Sequence, residues 1–303
     1  MSAIRNVLTF DVEDWPQSTL DPGLPLSGRV VSNTTRILEM LSRRGIRATF
    51  FMLGMVAERF PRLARKIHEA GHEVASHGYD HRPVHSMTRE AFRTDIHRSV
   101  RLLEEATGTR VLGYRAPDFS IPAERLRDLE VLAEEGLRYD SSIFPFAGPR
   151  YGIRSAFRMP HRVLSSAGRD FVEFPLATID FFGLRIPAAG GGYFRLLPYS
   201  IARVAIRRLN AAGSPATVYF HPYEIDPDEI RSLTQPVPWA VRVSQGLRRE
   251  SVERRLRRLL SEFAWGPARD RLSDLPDLTG GRVLDLTVQG TSVPRWLLTG
   301  GAE

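Results

Sequence analysis

A repeated order constrains this chain most: a short apolar run, a polar residue able to bind metal or move protons at its end, then a helical pattern. Residues 6–10 (NVLTF) read as a buried strand that runs into Asp11, Glu13 and Asp14. Residues 32–44 read as a helix with Ser32 or Asn33 as N-cap, Ile37, Leu38 and Leu41 facing inward, and Gly45 as its stop. Strand 48–52 (ATFFM), helix 62–70 behind Pro61, and strand 73–75 follow, and His77 and His81 come directly after. A long helix at 88–107 leads to strand 111–114, then Arg115 and Asp118. Helix 123–135 leads to a strand beginning at 139–142, which holds Asp140. After an irregular stretch with strand-like pieces at FVEFP and TIDFFG, helix 198–210 leads to strand 216–220 (ATVYF) and His221.

Strand–helix alternation over this length predicts an α/β fold whose parallel sheet closes, or nearly closes, into a barrel. In such barrels the chemistry sits at the carboxyl ends of the strands, where all these polar residues fall. The expected division is a barrel over residues 1–226 and a C-terminal extension over 227–303 packed on it, with a proline-rich turn from Gln235 and a basic amphipathic helix at 250–263.

The chain has no cysteine, which excludes disulfides, thiolate metal sites and a cysteine nucleophile. Any metal must be held by His, Asp or Glu. Its net charge is +7, and Lys66 is the only lysine, so the basic charge is almost all arginine. Arginine forks suit carboxylate and phosphate, which is compatible with an anionic glycan or a diphosphate-bearing substrate. The plainer explanation is the stronger one: arginines alternating with acids on solvated faces would give the same composition. No basic strip interleaved with aromatics argues for nucleic acid. The N-terminal stretch has no long apolar core of a secretory signal and no segment is long and apolar enough to span a membrane, so the expectation is a cytoplasmic protein.

His77 and His81 stand four apart around Gly78, and both imidazoles can reach one ion. With a carboxylate from the first strand they would form a His₂–carboxylate site with open positions, although a solvated histidine pair is the plain alternative. Two acids compete for the third place. If the strand continues through Val12, Glu13 shares Asp11's face. If Val12 and Glu13 form a bulge, Asp14 is presented instead, and its shorter side chain tips the expectation to Asp14.

Taken together, the segments resemble the NodB-homology polysaccharide deacetylases, carbohydrate esterases on an irregular (β/α)₇ barrel. The family's T-F-D-D-G is matched by Thr9, Phe10, Asp11, Val12, Glu13 and Asp14, its H-(S/T)-x-x-H-P by His77 to Pro83, and its R-x-P-Y by Arg115 to Asp118. Its D-x-x-x-W is matched by Asp140 to Phe144 and its L-x-H by Tyr219 to His221. The resemblance spans residues 7–223 and departs at the two residues inserted in the first motif, at Asp118, at Phe144 and at Tyr219. TFDVEDW, GGGYFRLLPY and YFHPYE further resemble a bacterial subgroup associated with exopolysaccharide operons, which carries an extra C-terminal region.

This resemblance implies a hydrolase that removes N-acetyl groups from a glycan or a lipid-linked glycan precursor, with a divalent metal, by default Zn²⁺. It implies Asp11 as general base held by Arg115, and His221 as general acid supported by Asp140. It also implies an oxyanion held near the Asp118 backbone. Gly190 to Gly192 lack the residues of a phosphate loop and are expected as a flexible groove wall, with Tyr193 or Phe194 stacking on a sugar. His85, His97 and His161 match no motif, and His68 and His72 are expected as charged residues near a helix C-terminus. Two rivals remain: a metal-independent cyclic-amide hydrolase of allantoinase type on the same barrel, and a non-catalytic glycan-binding relative.

Overall fold

The computed structural model describes residues 4–148, 151–188, 190–233, 236–274 and 279–287. Strand β1 (Arg5–Val12) lies inside the sheet, and every residue after Arg5 is buried, as a parallel strand covered on both faces requires. Strands β2 (Thr49–Met52), β3 (Glu73–Ser76), β4 (Gly113–Tyr114) and β5 (Tyr139–Asp140) follow in parallel beside it. Helices α1 (Arg29–Ser42), α2 (Gly54–Arg59), α3 (Pro61–Glu69), α4 (Arg89–Thr107) and α5 (Glu130–Glu134) connect them. Strands β6 (His161–Leu164) and β7 (Phe171–Glu173) are antiparallel, and β8 (Thr178–Phe181) with β9 (Leu184–Pro187) forms a separate hairpin. Helices α6 (Gly191–Leu196) and α7 (Tyr199–Ala211) lead to β10 (Thr217–Phe220), then come α8 (Trp239–Gly246), α9 (Val252–Glu262), β11 (Ala264–Gly266) and β12 (Val283–Asp285).

The main sheet runs β10-β1-β2-β3-β4-β5-β7-β6-β12, with β11 paired to the start of β1. This ladder is open, but the chain just past β7 returns to its other end. Leu176 bridges Thr217 of β10, and Ala177 N–H donates to the Thr217 carbonyl at 3.0 Å. The expected α/β barrel is thus present in irregular form, with one narrow seam.

Side chains alternate across a strand. In β1, Leu8, Phe10 and Val12 join the large core with α1 and α2, where Phe10 stacks on Phe50 at 5.0 Å. Val7 joins Phe51, Ala75, Tyr139, Val172 and Phe174 in a separate cluster, the packed layer inside the barrel. Thr9, Asp11 and Glu13 continue Val7's side upward, which aims the acids at the carboxyl end.

Some local expectations shift. Helix α1 begins at Arg29 rather than at a Ser32 or Asn33 cap. Asn33 is buried inside the helix and donates to Glu229 Oε2 at 2.9 Å, so a long-range partner takes the amide that a cap would have used. Residues 123–135 form a 3₁₀ helix over Ala123–Leu129 before the short α5. His72 is not a charged helix-end residue. It is buried, its Nδ1 accepts from Ala48 N–H at 3.2 Å, and burial with nearby Arg269 and Arg47 pushes it down to about 4.

The C-terminal region supplies the expected helix as α9, and it also adds the unexpected α8 and the strands β11 and β12. Ala268 N–H donates to Thr49 Oγ1 and Arg269 N–H to Glu73 Oε2, which ties the tail to the amino end of the barrel. Gln235 and residues 288–303 lie outside the described residues.

Candidate active site

The carboxyl ends of β1, β3, β4 and β10 open into a cleft of about 330 Å³ lined by Asp11, Glu13, His77, His81, Asp118 and His221, among others. Four separated sequence segments meet here because their strands are parallel neighbours and end at the same level.

Glu13, not Asp14, faces the two histidines. Strand β1 stays regular through Val12, so Glu13 keeps Asp11's side. One ligand atom each from Glu13, His77 and His81 lies within 4.8 Å of the others. Glu13 Oε2 is 2.5 Å from His81 Nε2 and 4.0 Å from His77 Nε2. Asp14, the expected third ligand, turns away to the α1 approach. Its carboxylate accepts from Ser27 N–H at 2.8 Å and from Ser27 Oγ–H at 2.6 Å. The expectation for Asp14 is therefore corrected: both its oxygens are committed to a loop.

The residues fit a divalent metal. Glu13 Oε2 is buried and is met by ring nitrogens alone, His81 Nε2 and, farther off, His77 Nε2, so the burial of its charge is costly unless something positive sits beside it. His77 Nδ1 lies 2.8 Å from the Arg115 carbonyl. That contact sets Nδ1–H as donor and leaves Nε2 with a lone pair facing Glu13. Burial holds His77 below its ordinary value, so it is neutral, as a ligand must be. Burial alone would raise Glu13, but His81, then His221 and His77, overcome it and hold the carboxyl far below the usual range. Burial would lower His81, yet the Glu13 carboxylate raises it. A cation bound beside Glu13 would compete with a proton on that ring. His81 sits at φ 65°, a left-handed conformation that costs of order 1–3 kcal/mol and turns the ring toward Glu13.

Beside this group, Arg115 is fully buried and donates to Asp11 Oδ1 at 2.7 Å and to Thr9 Oγ1 at 2.7 Å. Its plane lies over Phe51 at 4.2 Å, and Ser141 accepts from it through its carbonyl and its hydroxyl. The expected Asp11–Arg115 pairing is present.

His221 does not meet Asp140. Its Nδ1 lies 3.4 Å from Glu224 Oε2, its Nε2 lies 3.3 Å from Glu13 Oε1, and Tyr223 stacks on its ring at 4.8 Å. Tyr223 Oη–H donates to Glu13 Oε1 at 3.1 Å. Burial would lower His221, but the Glu224 contact first, then the charges of Glu13, Glu224 and Asp11, push it up to about 9. Asp140 instead accepts from Ser142 Oγ–H at 2.6 Å, and Ser142 Oγ accepts from Ala116 N–H at 2.8 Å. It also pairs with Glu173, whose carboxyl burial and then the Asp140 charge push well above its ordinary value. Both carboxyls lie buried in the barrel wall, where burial favours a neutral Glu173. Asp140 thus braces the Arg115–Ala116 turn and gives His221 no contact.

Asp118 and Tyr193 line the cleft as expected. Phe194 does not. It is buried against Phe220 at 4.9 Å, because neighbouring residues on the short α6 point to opposite sides. Of the glycines before it, Gly192 lines the cleft, while Gly190 bridges Tyr219, and a Cβ there would fall 1.6 Å from the Tyr219 carbonyl oxygen.

Tyr223, Glu224 and Glu173 escaped the sequence reading. Two signals were present: a Glu three residues after His221, the spacing at which a side chain reaches back across one turn, and a Glu inside the apolar FVEFP run.

Comparison with known proteins places these residues. Residues 5–139 match the polysaccharide deacetylase family, and residues 141–273 match a domain of unknown function, DUF3473. Strands from both stretches pair in one sheet, β5 with β7 and β1 with β10. The chain is 34% identical over 155 residues to a peptidoglycan deacetylase of Helicobacter pylori. That match covers 50% of this chain and 51% of the relative, so the chain spans about half the length of that curated relative. A crystal structure assigned to the polysaccharide deacetylases, from Mycobacterium smegmatis, superposes with a TM-score of 0.64 at 20% identity over 95% of this chain and 94% of that one. The Puue allantoinase superposes at 0.59 with 18% identity over 88% of each chain. These two likenesses concern the fold.

Proposed function

We propose, from the premise that residues 5–139 form a polysaccharide deacetylase domain, that this chain is a metal-dependent hydrolase removing N-acetyl groups from amino sugars of a glycan. The observation that carries the reading is the convergence of Glu13 Oε2 with His77 and His81 beside the Asp11–Arg115 pair. Glu13, His77 and His81 would hold the metal, with Zn²⁺ the default for two imidazoles and a carboxylate. When bound, it supplies an acidified water and polarises the amide carbonyl. Asp11 accepts the proton of the attacking water, and Arg115 keeps that carboxylate ionised and aimed. The backbone near Asp118 holds the developing oxyanion. His221 gives its proton to the leaving nitrogen, and Glu224 keeps that proton on the ring. Tyr223 holds Glu13 Oε1, so Glu13 presents Oε2. The products are acetate and a free amine.

The finer reading takes an exopolysaccharide, or its lipid-linked precursor, as substrate in the cytoplasm. Support comes from the subgroup resemblance and from the absence, among the described residues, of a helix long and apolar enough to cross a membrane. Acetate release from N-acetylglucosamine oligomers and from lipid-linked precursors, with metal content and cell fractionation in parallel, tests it. Ring opening of allantoin without acetate release would replace this reading with the allantoinase one.

Two variant pairs probe the parts. Glu13→Gln should weaken metal binding ~10-fold or more, comparable to or worse than losing a supporting partner, while Asp14→Asn leaves metal affinity within about threefold and costs about 1 kcal/mol of loop anchoring. The reverse order in a metal titration would return the third place to Asp14. Glu224→Gln removes the carboxylate charge beside His221 Nδ1 that favours the protonated ring. The protonated acid then persists to a lower pH, and the alkaline limb of kcat should move toward neutrality. An unmoved limb would remove Glu224 from the support of His221.

A further inference from the structure

We infer that Arg195 forms an oxyanion subsite in the cleft, so that the glycan taken there carries a carboxylate or phosphate near its N-acetyl sugar. The inference rests on reading the cleft as a glycan site. Among the described cleft-lining residues Arg195 is the only arginine or lysine. It is 3% exposed, donates from Nη2 to the Ser244 carbonyl at 2.9 Å, and has a buried Nε with no partner. A guanidinium has five donors in a planar fork. The Glu224 carboxylate, which also lines the cleft, feels its charge. Glu224 Oε2 is turned to His221, however, and forms no hydrogen bond or ion pair with Arg195 among the described contacts. Donors of the fork are therefore left for a further oxyanion.

The protein does not need this cation for its own helix end. Arg255 Nη1 already donates to the Phe194, Arg195 and Leu197 carbonyls at the end of α6. Nor is Arg195 loosely placed. The close approach of Gly190 to Tyr219 fixes the start of α6, and the Ser244 bond ties it to α8. Ser244 and Gln245 line the same rim and offer polar atoms next to the fork. A planar oxyanion accepts two parallel bonds from such a fork.

The test is equilibrium binding in the Asp11→Asn background, which slows turnover enough for binding to be read first. Three probes are used: an N-acetylglucosamine tetramer, a tetrasaccharide with one glucuronate, and the tetramer carrying one phosphate. One charge-assisted pair should make an anionic probe bind about tenfold more tightly than the neutral one, at about 1.4 kcal/mol per tenfold. Arg195→Gln should collapse that preference and Arg195→Lys should retain part of it. Comparing glucuronate with phosphate identifies which oxyanion is taken. Equal binding of all three probes overturns the inference, as does a preference that survives Arg195→Gln. If Arg195→Gln does not fold, the Arg195→Lys and parent measurements still decide, because a parent chain without preference refutes the subsite. Failure of the deacetylase reading shows separately, as absence of acetate release from the parent chain on any probe.

Discussion

His77→Ala should leave the purified chain with little bound metal and lower turnover on the order of 10³-fold. The metal contributes several kcal/mol of charge stabilisation, and each 1.36 kcal/mol is tenfold in rate. The variant removes one of the two imidazoles that face Glu13 Oε2 and also the Nδ1 contact to the Arg115 carbonyl. Glu13 Oε2 would then face His81, with His221 still on Oε1. Metal analysis after gel filtration and an acetate-release assay read the two effects, with circular dichroism checking the fold. Full metal content and full activity in this variant would refute the metal reading.

Asp11→Asn should keep most of the metal and lose ~10²–10⁴-fold in kcat, the range for a positioned general base. The amide retains an oxygen for Arg115, so the geometry of the pair survives. Its charge does not, and Arg115 is fully buried. Breaking a buried ion pair costs up to ~3–5 kcal/mol, though the retained hydrogen bond, the Phe51 face and Ser141 soften this. The variant should therefore melt earlier while binding metal nearly as well. Turnover close to that of the parent would remove Asp11 from the mechanism. A loss of metal equal to that of His77→Ala would move Asp11 into the metal shell.

The chemistry was legible wherever a polar residue closes an apolar run. Asp11, His77, His81, Arg115 and His221 are named by such endings, because a strand cannot carry a charge into its own core and must release it at an end. Strand alternation and helix stops at Gly and Pro were legible for the same local reason, and they define the order of the barrel. Partner choice was not local. Asp14 and Glu13 are adjacent acids, and only the regular continuation of β1 and the arrival of Ser27 separate them. The family resemblance made Asp140 the expected support for His221. The tertiary structure instead gives Asp140 to Ser142 and Glu173, and gives His221 to Glu224 three residues on. Phe194 and Tyr193 are neighbours in sequence, yet one side of α6 meets the core and the other the cleft.

By itself, the sequence determined the residue types, their spacing and the faces that strands and helices must present, since these follow from backbone periodicity and the cost of burying charge. Only the tertiary structure decided which carboxylate meets which imidazole, because a hydrogen bond needs partners within about 3 Å, and that distance is set by how β1, β3, β4 and β10 align across the sheet.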